Sequence, residues 1–205
     1  LAYTSCWTLH IRCSSDVTIR RVDVAADRTV GNSDGFSIDC TRNVLIEDCT
    51  LATGDDGIAI RASCKLHAAE HPTEHVRVRR CTVRSCACGV RVGVGSGTIR
   101  DVVFEDCRFH ESGHGVGFTP AWVKGARNVY IEDCTFRRCQ MSQCERPVDS
   151  WIPDADTRVR GARFEDCTFE SLLPARLNGS KSVKVEDVSF VRCTRKAIEQ
   201  VQVRM

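Results

Sequence analysis

Seven short segments of one pattern recur along these 205 residues: VTIRRVDV from Val17, VLIEDCTL from Val44, VRVRRCTV from Val76, VVFEDCRF from Val102, VYIEDCTF from Val129, ARFEDCTF from Ala162 and VKVEDVSF from Val183. With the Cys49 position as marker, the copies fall at 22, 49, 81, 107, 134, 167 and 188, so the period ranges from 21 to 33 residues. A unit this short cannot bury its own apolar face and has to stack on its neighbours. Within each copy apolar and polar residues alternate, as Val44 and Ile46 do with Leu45 and Glu47. Period-two alternation of β-branched residues reads as strand. A Glu-Asp or Arg-Arg pair then interrupts the alternation, as at a corner. Further apolar pairs, Phe36/Ile38, Ile58/Ile60, Val90/Val92 and Val116/Phe118, each follow a glycine. Each period thus holds at least two short strands and no helix, which predicts an all-β parallel β-helix of about seven coils. Like positions then stack about 4.8 Å apart. Residues 1–205 read as one such domain.

Fourteen cysteines suggest disulfides or a metal until their positions are considered. Cys49, Cys81, Cys107, Cys134 and Cys167 share one repeat position and are expected to form an inward stack of free thiols, behaving as small hydrophobes. No CxxC pair exists, and neither metal nor cofactor is expected. The 29 basic and 27 acidic residues are spread along the chain, giving a net charge of +2 and no block that points to nucleic acid or a membrane surface. There is no apolar run near 18 residues and no signal segment, so the location stays open between secretion and the cytoplasm.

One surface column departs from the scaffold rule. The residue before the glycine on successive coils is Asp34, Asp56, Cys88 and His114, with Asp55 adjoining Asp56. A lone Asp-Gly is a favoured turn. Asn32-Ser33-Asp34-Gly35 followed one coil later by Gly54-Asp55-Asp56-Gly57 is more than that, because carboxylates on adjacent coils repel and raise at least one pKa. A protonated carboxyl beside ionised ones suits glycoside hydrolysis, in which one acid protonates the leaving oxygen and another carboxylate activates water.

The stretch NSDGFSIDCTRNVLIEDCTLATGDDGIAI, residues 32–60, resembles the asparagine-x-aspartate and glycine-aspartate-aspartate region of glycoside hydrolase family 28, the polygalacturonases and their relatives, and a weaker likeness runs from Cys6 to about Cys139. The resemblance implies a right-handed, pectin-lyase-like β-helix and metal-free, inverting hydrolysis of a pectic polysaccharide. It casts Asp55 as general acid, Asp34 and Asp56 as the carboxylates that hold and deprotonate water, and Asn32 as the site asparagine. It also implies that coils precede Leu1, or that self-association covers the open β-helix end.

Two departures bear on substrate. Where the family has glycine-histidine-glycine on the third coil, this chain has Ala87-Cys88-Gly89, and its own Gly113-His114-Gly115 comes one coil later. In place of the arginine-isoleucine-lysine segment that grips a substrate carboxylate stands Gly117-Phe118-Thr119. Arg61 and Arg91, on the second strands of neighbouring coils, are either substitutes for that clamp or ordinary solvated surface arginines; with Asn32 and His114 they are the candidates for substrate binding, the partner being a polysaccharide or oligosaccharide. His67, His71 and His75 read as loop histidines, since Pro72 interrupts any helix that would align them. Trp122 and Trp151 are candidates to stack on sugar rings or to cover the scaffold. The competing readings are a catalytically inactive carbohydrate-binding or structural β-helix and a β-helix polysaccharide lyase, which calls for calcium-binding carboxylates and a basic residue.

Overall fold

The computed structural model describes residues 1–63, 71–120, 129–150, 157–179 and 183–197. His67, Trp122 and Trp151 lie outside the described residues. Strands of three to nine residues follow one another in a fixed cycle, exemplified by Arg42–Glu47, Thr50–Thr53 and Ile58–Ala62, then Thr73–Arg79, Thr82–Ser85 and Cys88–Gly95. Each strand pairs in parallel with its counterpart one coil away, building three sheets of eight, six and eight strands. This is a parallel β-helix with three strands per coil. No helix among the described residues is long and apolar enough to cross a membrane.

The corners explain the interrupted alternation. The repeated segment bends at two left-handed residues five positions apart: Asn43 and Asp48, His75 and Arg80, Asp101 and Asp106, Asp133 and Arg138, Asp187 and Arg192. Asn, Asp and His tolerate this region best, and arginine recurs only at the second bend. Because Asp serves at both bends, Glu-Asp-Cys is an ambiguous marker, and the expected register fails in two copies. Cys134 pairs with Val102 and Ala162, inside a strand. The residue stacked on Cys107 is Cys139, whose neighbour Gln140 donates its backbone N–H to the Cys107 carbonyl at 2.9 Å. In the last coil the marker is Cys193, not Val188: Thr194 N–H donates to the Cys167 carbonyl, also at 2.9 Å. Both markers move by five residues, one bend. Cys49, Cys81, Cys107, Cys139 and Cys167 are buried free thiols in a column that ends on the partly buried Cys193. Cys134 is likewise buried, but outside that column.

The corrected register orders the core and the surface together. Phe104, Phe136, Phe164 and Phe190 stack face to face with centroids 5.1, 4.9 and 4.9 Å apart. On the outside, the pairs at the second bend read Arg20-Arg21, Glu47-Asp48, Arg79-Arg80, Glu105-Asp106, Arg137-Arg138 and Glu165-Asp166 on successive coils. Each basic pair lies against acidic ones: Arg79 Nε is 2.7 Å from Glu47, Arg80 Nε 2.7 Å from Asp48, Arg138 Nε 2.7 Å from Asp106 and Arg192 Nε 2.6 Å from Asp166. In these pairs the arginine hydrogen bonds hold the Glu47, Asp48, Asp106 and Asp166 carboxyls below their ordinary range.

Candidate active site

The six-stranded sheet carries the aspartates at its entrance. Gly35 N–H donates to the Asp56 carbonyl at 2.9 Å and Gly57 N–H to the Cys88 carbonyl at 2.8 Å, while Cys88 pairs with His114 and His114 with Arg146. Asp34, Asp56, Cys88, His114 and Arg146 therefore form one column. Glycine after the aspartate is a packing requirement. A Cβ on Gly35 would stand 2.4 Å from the Gly57 carbonyl oxygen, and one on Gly57 would stand 2.1 Å from a Val83 methyl. On the Arg146 coil Pro147 takes this place.

Asp55 lies on the turn before that column, and its backbone is pinned from two coils. Thr53 Oγ1 donates to the Asp55 carbonyl at 2.8 Å and Ser85 Oγ at 2.6 Å. Its carboxylate accepts a hydrogen bond from the backbone N–H of Asn32 at 2.9 Å. Asn32 is exposed and left-handed, with φ of 59°, so here it is the Asn32 backbone that joins the aspartate motifs. Ser33 fastens the same loop by donating to the Asp27 and Val30 carbonyls while accepting from Gly54 N–H.

Asp34 and Asp56 are only 3% and 5% exposed. Burial, reinforced by the charges of Asp56 and Asp55, pushes the Asp34 carboxyl up to about 7 against the opposing Arg61 and Arg91. Burial also raises Asp56, opposed by Arg91 and by the Cys88 backbone N–H, which donates to Asp56 Oδ1 at 3.2 Å. Arg91 forms an ion pair with Asp56 through Nε and reaches Thr119 Oγ1 at 3.3 Å. Arg61 Nη1 is 4.0 Å from Asp34 Oδ2, and its guanidinium lies 4.3 Å over the Trp7 ring, a cation–π contact between two coils. Both expected clamp arginines thus have carboxylate partners within the site.

His114 is partly buried, with Nε2 3.6 Å from Asp149 Oδ2, and burial lowers its pKa. Asp149, absent from the sequence candidates, is 4% exposed and receives both prongs of Arg176. His75 lies apart from this face, with Nδ1 2.6 Å from Asp101 Oδ2. No cluster of three or more His, Cys, Asp or Glu side chains poised for a metal occurs among the described residues.

The family model described as glycosyl hydrolases family 28 matches residues 3–204. The chain belongs to that family. A probable polygalacturonase of Vitis vinifera is 26% identical over 190 residues, covering 86% of this chain and 38% of the relative. An exopolygalacturonase of Platanus acerifolia is 25% identical over 142 residues, covering 65% and 33%. The chain therefore spans less than two fifths of the length of these curated relatives. Among solved structures, a polygalacturonase from Erwinia carotovora matches with a TM-score of 0.66 over 96% of this chain and 53% of that one, at 15% identity. That likeness establishes the fold, a right-handed parallel β-helix. Family 28 membership and the fold thus agree with the reading of residues 32–60.

Proposed function

We propose that this chain carries the catalytic face of a polygalacturonase-like glycoside hydrolase that cleaves a polysaccharide without a metal. The observation that carries the reading is the placement of two buried aspartates on adjacent coils, with a third, Asp55, beside them on a turn held from three sides. Two of the three lean toward the protonated form although guanidinium groups lie against them, and a scaffold has no need of such an arrangement. Asp34, poised near neutrality, suits a group that takes a proton from water, as a base works best when its pKa lies near the working pH. Asp56, fixed by Arg91 and the Cys88 N–H, orients that water. Asp55, the most accessible of the three, donates the proton to the leaving oxygen. Asn32 acts through its backbone on Asp55, and His114 borders the sugar path. Arg61 and Arg91 keep Asp34 and Asp56 from repelling each other out of the fold.

The test is release of reducing ends from a panel of neutral and acidic polysaccharides, with and without chelator. Hydrolysis that is indifferent to chelator and inverts the anomeric centre is expected. Calcium-dependent formation of unsaturated products would establish a lyase instead, and binding without cleavage a carbohydrate-binding β-helix. If Asp34 is the base, activity falls as the pH drops through about 7, where its carboxylate takes up a proton.

A further inference from the structure

Past Asp56 the same face opens into a cavity of about 570 Å³ whose lining includes Arg91, His114, Glu145, Arg146, Asp149 and Arg176. The volume is that of a small-ligand pocket. Its floor is bare for a steric reason. Gly117 pairs with Arg91 on one side and Asp149 on the other, and a Cβ there would stand 2.7 Å from the Cys88 sulfur. No side chain, and so no cation, can project from that central position without displacing Cys88.

The cations around this floor already have protein acceptors. Arg91 is directed at Asp56. Arg176 donates from Nε to Asp149 Oδ1 at 2.7 Å and from Nη2 to Oδ2 at 2.8 Å. Arg146 donates from Nη1 to the Pro174 carbonyl at 2.8 Å and is preceded in the chain by Glu145. Three guanidinium groups, Arg91, Arg146 and Arg176, thus line the cavity with two carboxyls, Glu145 and Asp149, while the acceptor of Arg91 is Asp56. An entering uronate would compete with Asp56 for Arg91 and with Asp149 for Arg176, and would itself approach Glu145 and Asp149. Sugar hydroxyls face no such penalty. A carboxylate has about four lone-pair sites, so Asp149 keeps acceptor capacity after binding Arg176, and the guanidinium can donate to the neighbouring hydroxyl oxygen.

Resting on the hydrolase reading above, we propose that this cavity is a subsite for a neutral sugar ring, and that Asp149, which stands beside the bare Gly117 floor and is paired with Arg176 of the next coil, is the residue that sets this preference. The probes are an acidic galacturonan oligosaccharide and the same preparation after reduction of its carboxylates to primary alcohols, which differ only at that group. Affinity is measured by calorimetry and, separately, hydrolysis by reducing ends. The wild-type protein should bind the reduced form at least about tenfold more tightly, with little dependence on salt, since no charged ligand group is involved. Asp149→Asn, which releases the Arg176 charge, should move the preference toward the acidic form by at least about tenfold. Arg176→Gln should weaken binding of the reduced form and weaken the acidic form further. Circular dichroism checks the fold of each variant, and if Asp149→Asn does not fold, the wild-type preference and Arg176→Gln decide. Tighter binding of the acidic form by the wild-type protein, equal binding, or binding of neither overturns the proposal. Selective binding without cleavage overturns the hydrolase reading and leaves the subsite standing.

Discussion

Two columns of charge run along this solenoid under opposite rules. At the second bend of each coil, basic and acidic pairs alternate, so that Glu47 lies among Arg20, Arg79 and Arg80, and Arg138 joins Glu105 to Asp106. At the entrance of the six-stranded sheet, Asp34 and Asp56 follow one another with the same sign, and their neutralising arginines come from other columns. The first column lowers the pKa of its carboxyls and the second raises it. In a stacked-coil fold every exposed position is tested against its neighbour one strand spacing away, so charge alternation is the arrangement that stabilises register. Asp101 and Asp133 also follow one another at the first bend, but there on the surface; Asp34 and Asp56 differ in being buried, which fits the catalytic role proposed for them.

The largest expected effect lies in the like-charged column. Asp55→Asn removes the proposed proton donor without touching the core, so turnover should fall by about 10²- to 10⁴-fold while the circular dichroism spectrum and melting temperature stay as in wild type. Next comes stability. Folded Asp34 holds its proton up to about pH 7, whereas the unfolded chain releases it near 3.8. Its contribution is therefore fully present below about pH 4 and lost as pH rises through 7. Asp34→Asn should raise stability at pH 8 by up to about 4 kcal/mol and change little below pH 4, as denaturant titrations at the two pH values will tell.

The smaller effects belong to the scaffold. Cys107→Ser should cost about 1–3 kcal/mol in urea unfolding, because a hydroxyl replaces a thiol that is 2% exposed among other sulfurs. Asp106→Lys puts a basic residue between Arg80 and Arg138 at the left-handed position of the second bend. A fall of about 2–4 °C in melting temperature is expected, shrinking in about 1 M salt. An unchanged melting temperature at low salt would mean that the alternation has no part in holding register.

The period-two pattern and its recurrence made the parallel β-helix legible, since units of 21 to 33 residues built of short strands with no helical segment have to stack coil on coil. The aspartate column was legible too from Asp34 to His114, because each of those members precedes a glycine that the adjacent coil leaves no room to replace. Copies at Cys134 and Val188 were misplaced because Asp133 and Asp187 occupy the first bend with the same Glu-Asp signature that marks the second bend elsewhere. The alternation of Arg-Arg with Glu-Asp carried the correcting signal, since the expected register would have put like pairs on neighbouring coils. Asp149 was hidden because Pro147 replaces the glycine that opens this strand on the preceding coils, and the Trp7 contact with Arg61 joins residues from coils whose relative placement only the fold supplies.

Carboxyl carbon NMR across a pH titration tests the contrast between the two columns most directly. Asp34 should titrate near pH 7 and move downward in Asp56→Asn, which removes one of the charges raising it, while Asp48, Asp106 and Asp166 titrate below 3.8. An Asp34 that titrates together with those three, at or below pH 4, would contradict the claim that the two columns obey opposite rules.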